Sequence, residues 1–349
     1  MKILSKIFSK LRTNVDDKSK KYFLKGFGHL INQDYDKALE DLKEVVMQNT
    51  HMVEMYVALG TLYRNKGEYL KAIHIHESAV GEKNIKDDLK KQILHELVLD
   101  YKLSGQYDKA LFNLNNLLKM DKSPVLFKLL ASLYFDKGDY ESAIKSYLKY
   151  SKISKKDVSK EVANCYYKLS ENQSDIKKRI KLLKKSLGYF AAFRLANYKL
   201  LEEYTTLKNK KLIYEQIKNI INYDIFYSME DLNKVSNIYF DDEKLDVFVK
   251  ECIKKVSQKN ENPLYYLFLA NYFSKKGELD KAKSLLADYI SDGKRYNIVL
   301  EKYLELINEP VLKSVVSDRK YICKKCEETY LEYYDICPKC GAIQAIYFN

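Results

Sequence analysis

Apolar residues recur along most of this chain at helical spacing, and three stretches repeat one order of side-chain sizes. They are LGTLYRNKGEYLKAIHIHESA from Leu59, LASLYFDKGDYESAIKSYLKY from Leu130 and LANYFSKKGELDKAKSLLADY from Leu269. In each, an apolar residue precedes a small one, and an aromatic follows three positions on. A glycine then comes four later, an apolar or aromatic residue two after that, and an alanine three further. The first copy has Leu59, Gly60, Tyr63, Gly67, Tyr69 and Ala72. The second has Leu130, Ala131, Tyr134, Gly138, Tyr140 and Ala143, and the third Leu269, Ala270, Phe273, Gly277, Leu279 and Ala282. Two helices joined by a tight turn explain this order. The small residues let the helices approach, the glycine allows the turn, and the aromatics fill the wedge between helices.

The pattern resembles the tetratricopeptide repeat, a helix–turn–helix unit of about 34 residues. Two further copies are clear, GFGHLINQDYDKALEDL and YKLSGQYDKALFNL. The corresponding alanines are Ala38, Ala72, Ala110, Ala143 and Ala282, in steps of 34, 38, 33 and 139 residues, the last about four periods. Between residues 150 and 260 the signature fades, although IKKRIKLLKKSL and LIYEQIKNII keep a helical period. Three degenerate repeats fit there, which gives an array of about eight over residues 21–316. The expected fold is mostly α: a superhelical solenoid whose groove takes protein partners.

The C-terminal residues 317–349 follow another pattern. Cys323-x2-Cys326-x10-Cys337-x2-Cys340 is the spacing of two CxxC knuckles facing each other across one metal ion. Pro338 and Gly341 suit a tight second knuckle. The flanking KYI, TYLEYY and AIQAIYF read as short strands. A unit this small buries too little apolar surface to fold alone, and a metal would supply on the order of 10–16 kcal/mol. The expected module is a four-cysteine zinc ribbon of rubredoxin-like type, holding one metal. Rubredoxin binds redox iron through the same knuckles with a longer insert, so the short insert favours structural zinc over iron. A disulfide pair or a redox CxxC is the competing reading, and no βαβ context supports a thioredoxin-like site. Cys165 and Cys252 stand alone on helical segments and are expected as buried small residues. His74 and His76 are two apart, hence on different sides of a helix, and do not make a metal pair.

Composition narrows the field. Hydrophobic residues make up 46% of the 349, with only 11 Gly and 4 Pro, which suits a helical chain with a sizeable core. The net charge is +13, and residues 1–21 hold seven Lys/Arg against Asp16 and Asp17, whereas residues 320–349 are balanced at four and four. The ribbon is therefore not expected to grip nucleic acid. In MKILSKIFSKLR, residues 1–12, Ile3, Leu4, Ile7, Phe8 and Leu11 share one helical face and Lys2, Lys6 and Lys10 another. A basic amphipathic segment over residues 1–20 with peripheral membrane contact is the expectation. The longest run without charge, residues 262–274, is too short to span a bilayer. No secretory signal is recognisable, so the expected location is cytoplasmic. GxxxxGK[ST], HExxH, GxSxG and GxGxxG are all absent, and the five histidines precede residue 96. An enzyme is not expected.

A repeat array joined to such a ribbon resembles the lipopolysaccharide assembly protein B family. In EMYVALGTLYRNKGEYLKAIHIHESAV, Arg64, Gly67, Ile75, His76 and Glu77 match that family's Arg-x-x-Gly and Ile-His-Gln/Glu pattern. In RKYICKKC and YYDICPKCGA, the four cysteines, Tyr321 and Pro338 align, and Arg319 does so if Lys320 is a one-residue insertion. Two departures stand out. The family begins with a membrane-spanning helix that this chain lacks, and its tryptophans beside the second knuckle fall where this chain has Asp335 and Ile343. The resemblance implies a non-enzymatic adaptor that links a membrane AAA+ protease to the deacetylase of the lipid A pathway and so sets lipopolysaccharide output. It also implies that the ribbon packs against the repeats, and that the peripheral attachment is to the cytoplasmic face of the inner membrane. A generic tetratricopeptide interaction scaffold and a rubredoxin-like electron carrier are the alternatives.

Overall fold

The structure is a computed structural model that describes residues 17–32, 34–48, 53–81, 85–241, 245–258, 262–291, 297–307, 321–330, 336–340, 342–343 and 346–348. The amphipathic segment expected at residues 1–12 lies outside these residues, as do Arg319, Lys320, Asp335 and Gly341. Among them no helix is long and apolar enough to cross a membrane. The chain divides into two compact units, residues 1–158 and 159–349.

Among the described residues the first unit has four helical hairpins: α1 (Asp17–Ile31) with α2 (Tyr35–Gln48), α3 (Val53–Asn65) with α4 (Tyr69–Gly81), α5 (Asp87–Leu103) with α6 (Tyr107–Met120), and α7 (Pro124–Lys137) with α8 (Tyr140–Ser154). Ala38, Ala72, Ala110 and Ala143 are wholly buried where each second helix meets the first. One apolar cluster joins Phe23, Leu42 and Val45 to Leu62 and Tyr63, and another runs from Val57 through Ile93, Val98 and Leu114 to Leu133. The turns share one geometry. Gly67 has φ +83°, its amide donates to the Arg64 carbonyl at 2.9 Å, and the Glu68 amide reaches back to Tyr63 at 2.8 Å. These bonds satisfy the last carbonyls of α3, and the left-handed residue between them favours glycine.

The second unit has four more hairpins: α9 (Ser159–Glu171) with α10 (Ile176–Tyr189), α11 (Arg194–Thr206) with α12 (Lys210–Asn222), α13 (Met229–Asp241) with α14 (Leu245–Ser257), and α15 (Pro263–Lys275) with α16 (Leu279–Ser291). Helix α17 (Asn297–Leu306) packs on α16 and α15. The degenerate repeats keep the motif with other residues. Between α11 and α12, Lys208 takes the left-handed position at φ +52°, and the Asn209 amide returns to Tyr204 at 3.2 Å. At the alanine position stand Arg179, Ile213 and Phe248, each fourth in its helix. The uncharged run is α15, in which Leu264 through Ala270 are all buried, as a helix packed on every side requires. Its Phe268 meets Phe248 edge to face, and Phe248 in turn packs on Phe226 edge to face and on Tyr239 in parallel.

After the helices comes a small antiparallel sheet in the order β2–β1–β3, with β1 (Tyr321–Cys323), β2 (Thr329–Tyr330) and β3 (Ile346–Phe348). Tyr321 pairs with Tyr330 on one side and with Phe348 on the other. The architecture is therefore a helical array of tetratricopeptide type with a small four-cysteine β module at its C-terminal end.

Candidate metal centre

Strand β1 delivers Cys323 to the start of the first knuckle. Its amide donates to the Glu328 carbonyl at 3.0 Å and its carbonyl accepts from the Glu327 amide at 2.8 Å. Glu327 sits at φ +58°, the left-handed residue that turns the chain back into β2. The second knuckle is closed by the Cys337 amide donating to the Ala342 carbonyl at 2.9 Å, and by an isolated bridge between Ile336 and Ile343. Lys339 and Glu328 form an ion pair from one knuckle to the other.

The four sulfurs converge. Cys323 Sγ lies 3.7 Å from Cys340 Sγ, and Cys326 Sγ 3.7 Å from Cys337 Sγ. All four lie within 4.8 Å of one another. A tetrahedral metal with bonds of about 2.3 Å requires sulfurs about 3.8 Å apart, and these two pairs meet that edge. No disulfide joins any of the six cysteines. Cys323 and Cys337 are buried, while Cys326 and Cys340 are half-buried.

The electrostatics of the cage are uneven. Burial opposes ionisation of Cys337, but the Tyr330 hydroxyl, 3.2 Å away, and the Cys340 amide donate to its sulfur and bring its thiol down to about 6. At Cys326 the Glu328 amide favours the thiolate, yet desolvation and the neighbouring sulfurs outweigh it and push the thiol up to about 12. Burial also raises Cys340. Cys337 is thus prepared to ionise, whereas a cation must displace the protons of Cys326 and Cys340, so loading releases protons. The amides of Glu328, Cys340 and Ala342 donate to the sulfurs of Cys326, Cys337 and Cys340. The backbone thereby spreads the charge of a thiolate cage.

Ile343, where the resembling family has tryptophan, packs against the helical core of the second unit. The cage is thereby tied to the repeats on which it follows. Cys165 and Cys252 are buried within α9 and α14, and desolvation holds both thiols above their ordinary value, Cys165 at about 12.

The motif around His76 forms a second polar cluster, distant in sequence from the cysteines. His76 is wholly buried and His74 exposed. The His76 Nδ1 lies 2.5 Å from Asp100 Oδ2 on α5, and Nε2 lies 3.1 Å from the Val57 carbonyl on α3. Arg64 reaches Asp100 at 3.0 Å and Glu96 at 2.5 Å. Glu77 accepts from the Tyr101 hydroxyl, and burial followed by this carboxylate raises the phenol well above its usual range. Gly60 makes room for the ring: a Cβ there would meet His76 Nε2 at 2.5 Å. Three helices are thus joined by one buried network that holds no cysteine. Sequence reading singled out Arg64 and His76 but missed Asp100, whose signal is an acid in an otherwise apolar face of α5.

Comparison with known proteins agrees with this architecture. A tetratricopeptide repeat family model matches residues 129–157, which span α7 and α8. Lipopolysaccharide assembly protein B of Escherichia coli K12 is 21% identical over 343 residues, covering 93% of this chain and 88% of that protein. The protein of the same name from Haemophilus influenzae is 21% identical over 367 residues, covering 95% and 90%. Among solved structures, a tetratricopeptide repeat protein of Parabacteroides merdae covers 84% of this chain and 100% of its own at 15% identity, with TM-score 0.40. The C-terminal part of a repeat protein of Cytophaga hutchinsonii covers 63% and 88% at 17% identity, with TM-score 0.46. The chain has tetratricopeptide repeats with a C-terminal four-cysteine cluster, and along nearly its whole length it resembles the lipopolysaccharide assembly protein B family.

Proposed function

We propose that this chain is a non-enzymatic adaptor of lipopolysaccharide assembly, in which the repeats hold protein partners and the ribbon is a structural metal module. In the family it resembles, that role joins a membrane AAA+ protease to the deacetylase of the lipid A pathway, and these are the partners we assign. The carrying observation is the similarity over 93% of the chain, which takes in both the repeats and the cysteine cluster. Cys323, Cys326, Cys337 and Cys340 hold one ion, and zinc is the assigned metal because the cage is four thiolates at tetrahedral spacing. Zinc supplies no redox chemistry, so its work is to fold the ribbon against the repeats.

An affinity pull-down of the full chain from its native membranes, with metal analysis of the same sample, tests the proposal. Recovery of the protease and the deacetylase with about one zinc per chain is the expected result. Unrelated partners would reduce the reading to a general interaction scaffold. Stoichiometric iron with neither partner would replace it with an electron carrier.

A further inference from the structure

One helix differs in charge from all its counterparts. Each second helix of a hairpin carries at least one carboxylate within it: Asp36 on α2, Glu77 on α4, Asp108 on α6, Glu141 on α8, Glu215 on α12, Asp246 on α14 and Asp280 on α16. Helix α10, IKKRIKLLKKSLGY, carries none. It has instead Lys177, Lys178, Lys181, Lys184 and Lys185, all exposed. At about 100° per residue these five fall within about 120° of one another. Leu183 and Ser186 on the opposite side are buried, so the lysines form the outermost stripe of the helix.

The stripe is not neutralised. None of the five lysines forms an ion pair with a carboxylate among the described residues. Arg179, on the same helix but turned inward, is paired with Glu203 at 2.8 Å. The one acid at the start of the stripe is Asp175, which caps the helix by accepting from the Lys177 amide at 2.7 Å and, as a carboxylate beside Lys177 and Lys178, offsets one of the five charges. Lys184 and Lys185 lie near the rings of Tyr204 and Tyr166, which leaves their charge intact.

We infer that the outer face of α10 is a docking surface for an anionic lipid bilayer. Its chemistry is all lysine: compact, strongly hydrated charges that suit long-range attraction to a diffuse layer of phosphates. The face offers no arginine fork and no amide side chain, so it lacks the planar groups that pair bidentately with base edges. It is also convex, the outside of a helix about 12 Å long between its first and last lysines, so it meets a plane and does not enclose a strand. Tyr189 at the edge of the stripe is 39% exposed, an aromatic of the kind that settles at headgroup level. This inference stands independently of the adaptor reading.

The test is co-sedimentation of the full chain with vesicles of phosphatidylglycerol in phosphatidylcholine, and with phosphatidylcholine alone. Each lysine near such a surface is worth about a fivefold change in partition, so K177Q/K178Q/K181Q should weaken binding about 100-fold. The variant K90Q/K145Q/K152Q removes the same charge from exposed lysines of the first unit and should bind within a few-fold of the parent. Replacement of the same three stripe lysines by arginine should preserve binding, which separates lost charge from lost structure. Circular dichroism should be unchanged, because glutamine and arginine keep the helix propensity of lysine. Equal loss in both glutamine variants, or equal binding to neutral and anionic vesicles, overturns the inference. A DNA duplex that binds more tightly than the vesicles and is lost in the same stripe variant would assign the face to nucleic acid and also overturn it.

Discussion

At the scale of single residues, the densest constraint lies where α3, α4 and α5 meet. Gly60 is there because a Cβ would overlap the His76 ring, so Gly60→Ala should destabilise the protein by about 1–3 kcal/mol, read by denaturant titration. Asp100 is wholly buried and accepts from both Arg64 and His76. Removing it strands two partners, and Asp100→Ala should cost about 3–5 kcal/mol. An unchanged midpoint would show that the cluster is tolerated and not stabilising. Part of this was legible from sequence. The small residue at position 60 and the pair Arg64 and His76 lie inside the repeat signature. Asp100 does not, because it is supplied by the next repeat, 24 residues beyond His76, and a periodic pattern records what each repeat shares and not what two repeats exchange.

At the scale of elements, the faded repeats show what a signature depends on. The five clear copies are those with glycine in the turn or alanine at the close contact. Between α11 and α12 the backbone makes the same turn with Lys208 in the left-handed region, at a cost that glycine avoids. Lys208→Gly should therefore raise stability by about 1 kcal/mol, seen as a higher melting temperature. Arg179 is the instructive opposite. It stands where the clear repeats have alanine, yet it is bonded through two nitrogens to Glu203, which is 4% exposed. Arg179→Ala, a change toward the repeat consensus, should lower the denaturation midpoint because Glu203 loses its partner in a buried place. A stabilised variant would show that the ion pair is weaker than its burial indicates. Helical periodicity survived in these segments because burial of one face is general, whereas turn and contact residues can be exchanged once another interaction takes over.

At the scale of the molecule, the array and the ribbon were both readable, the first from recurrence and the second from four cysteines at fixed spacing. That the two pack together was implied by the resemblance, but the residue that joins them was not legible, since Ile343 is an ordinary apolar residue whose partner cannot be named from its neighbours. Cys323→Ser should lose metal and ribbon order while far-ultraviolet circular dichroism of the helices persists; retained stoichiometric metal would contradict a four-thiolate cage. Ile343 gives that loss a wider reach. It is bridged to Ile336, next to Cys337 of the sulfur cluster, and it packs against the second unit's core. A ligand that binds only the folded ribbon stabilises everything folded with it, by about 2.7 kcal/mol at a hundredfold excess over its dissociation constant. A metal held by the four cysteines would thus be a source of stability for the second unit. On the reading proposed above, a shortage of the metal would open the second unit to proteolysis first, and the amount of chain would follow the metal through one isoleucine.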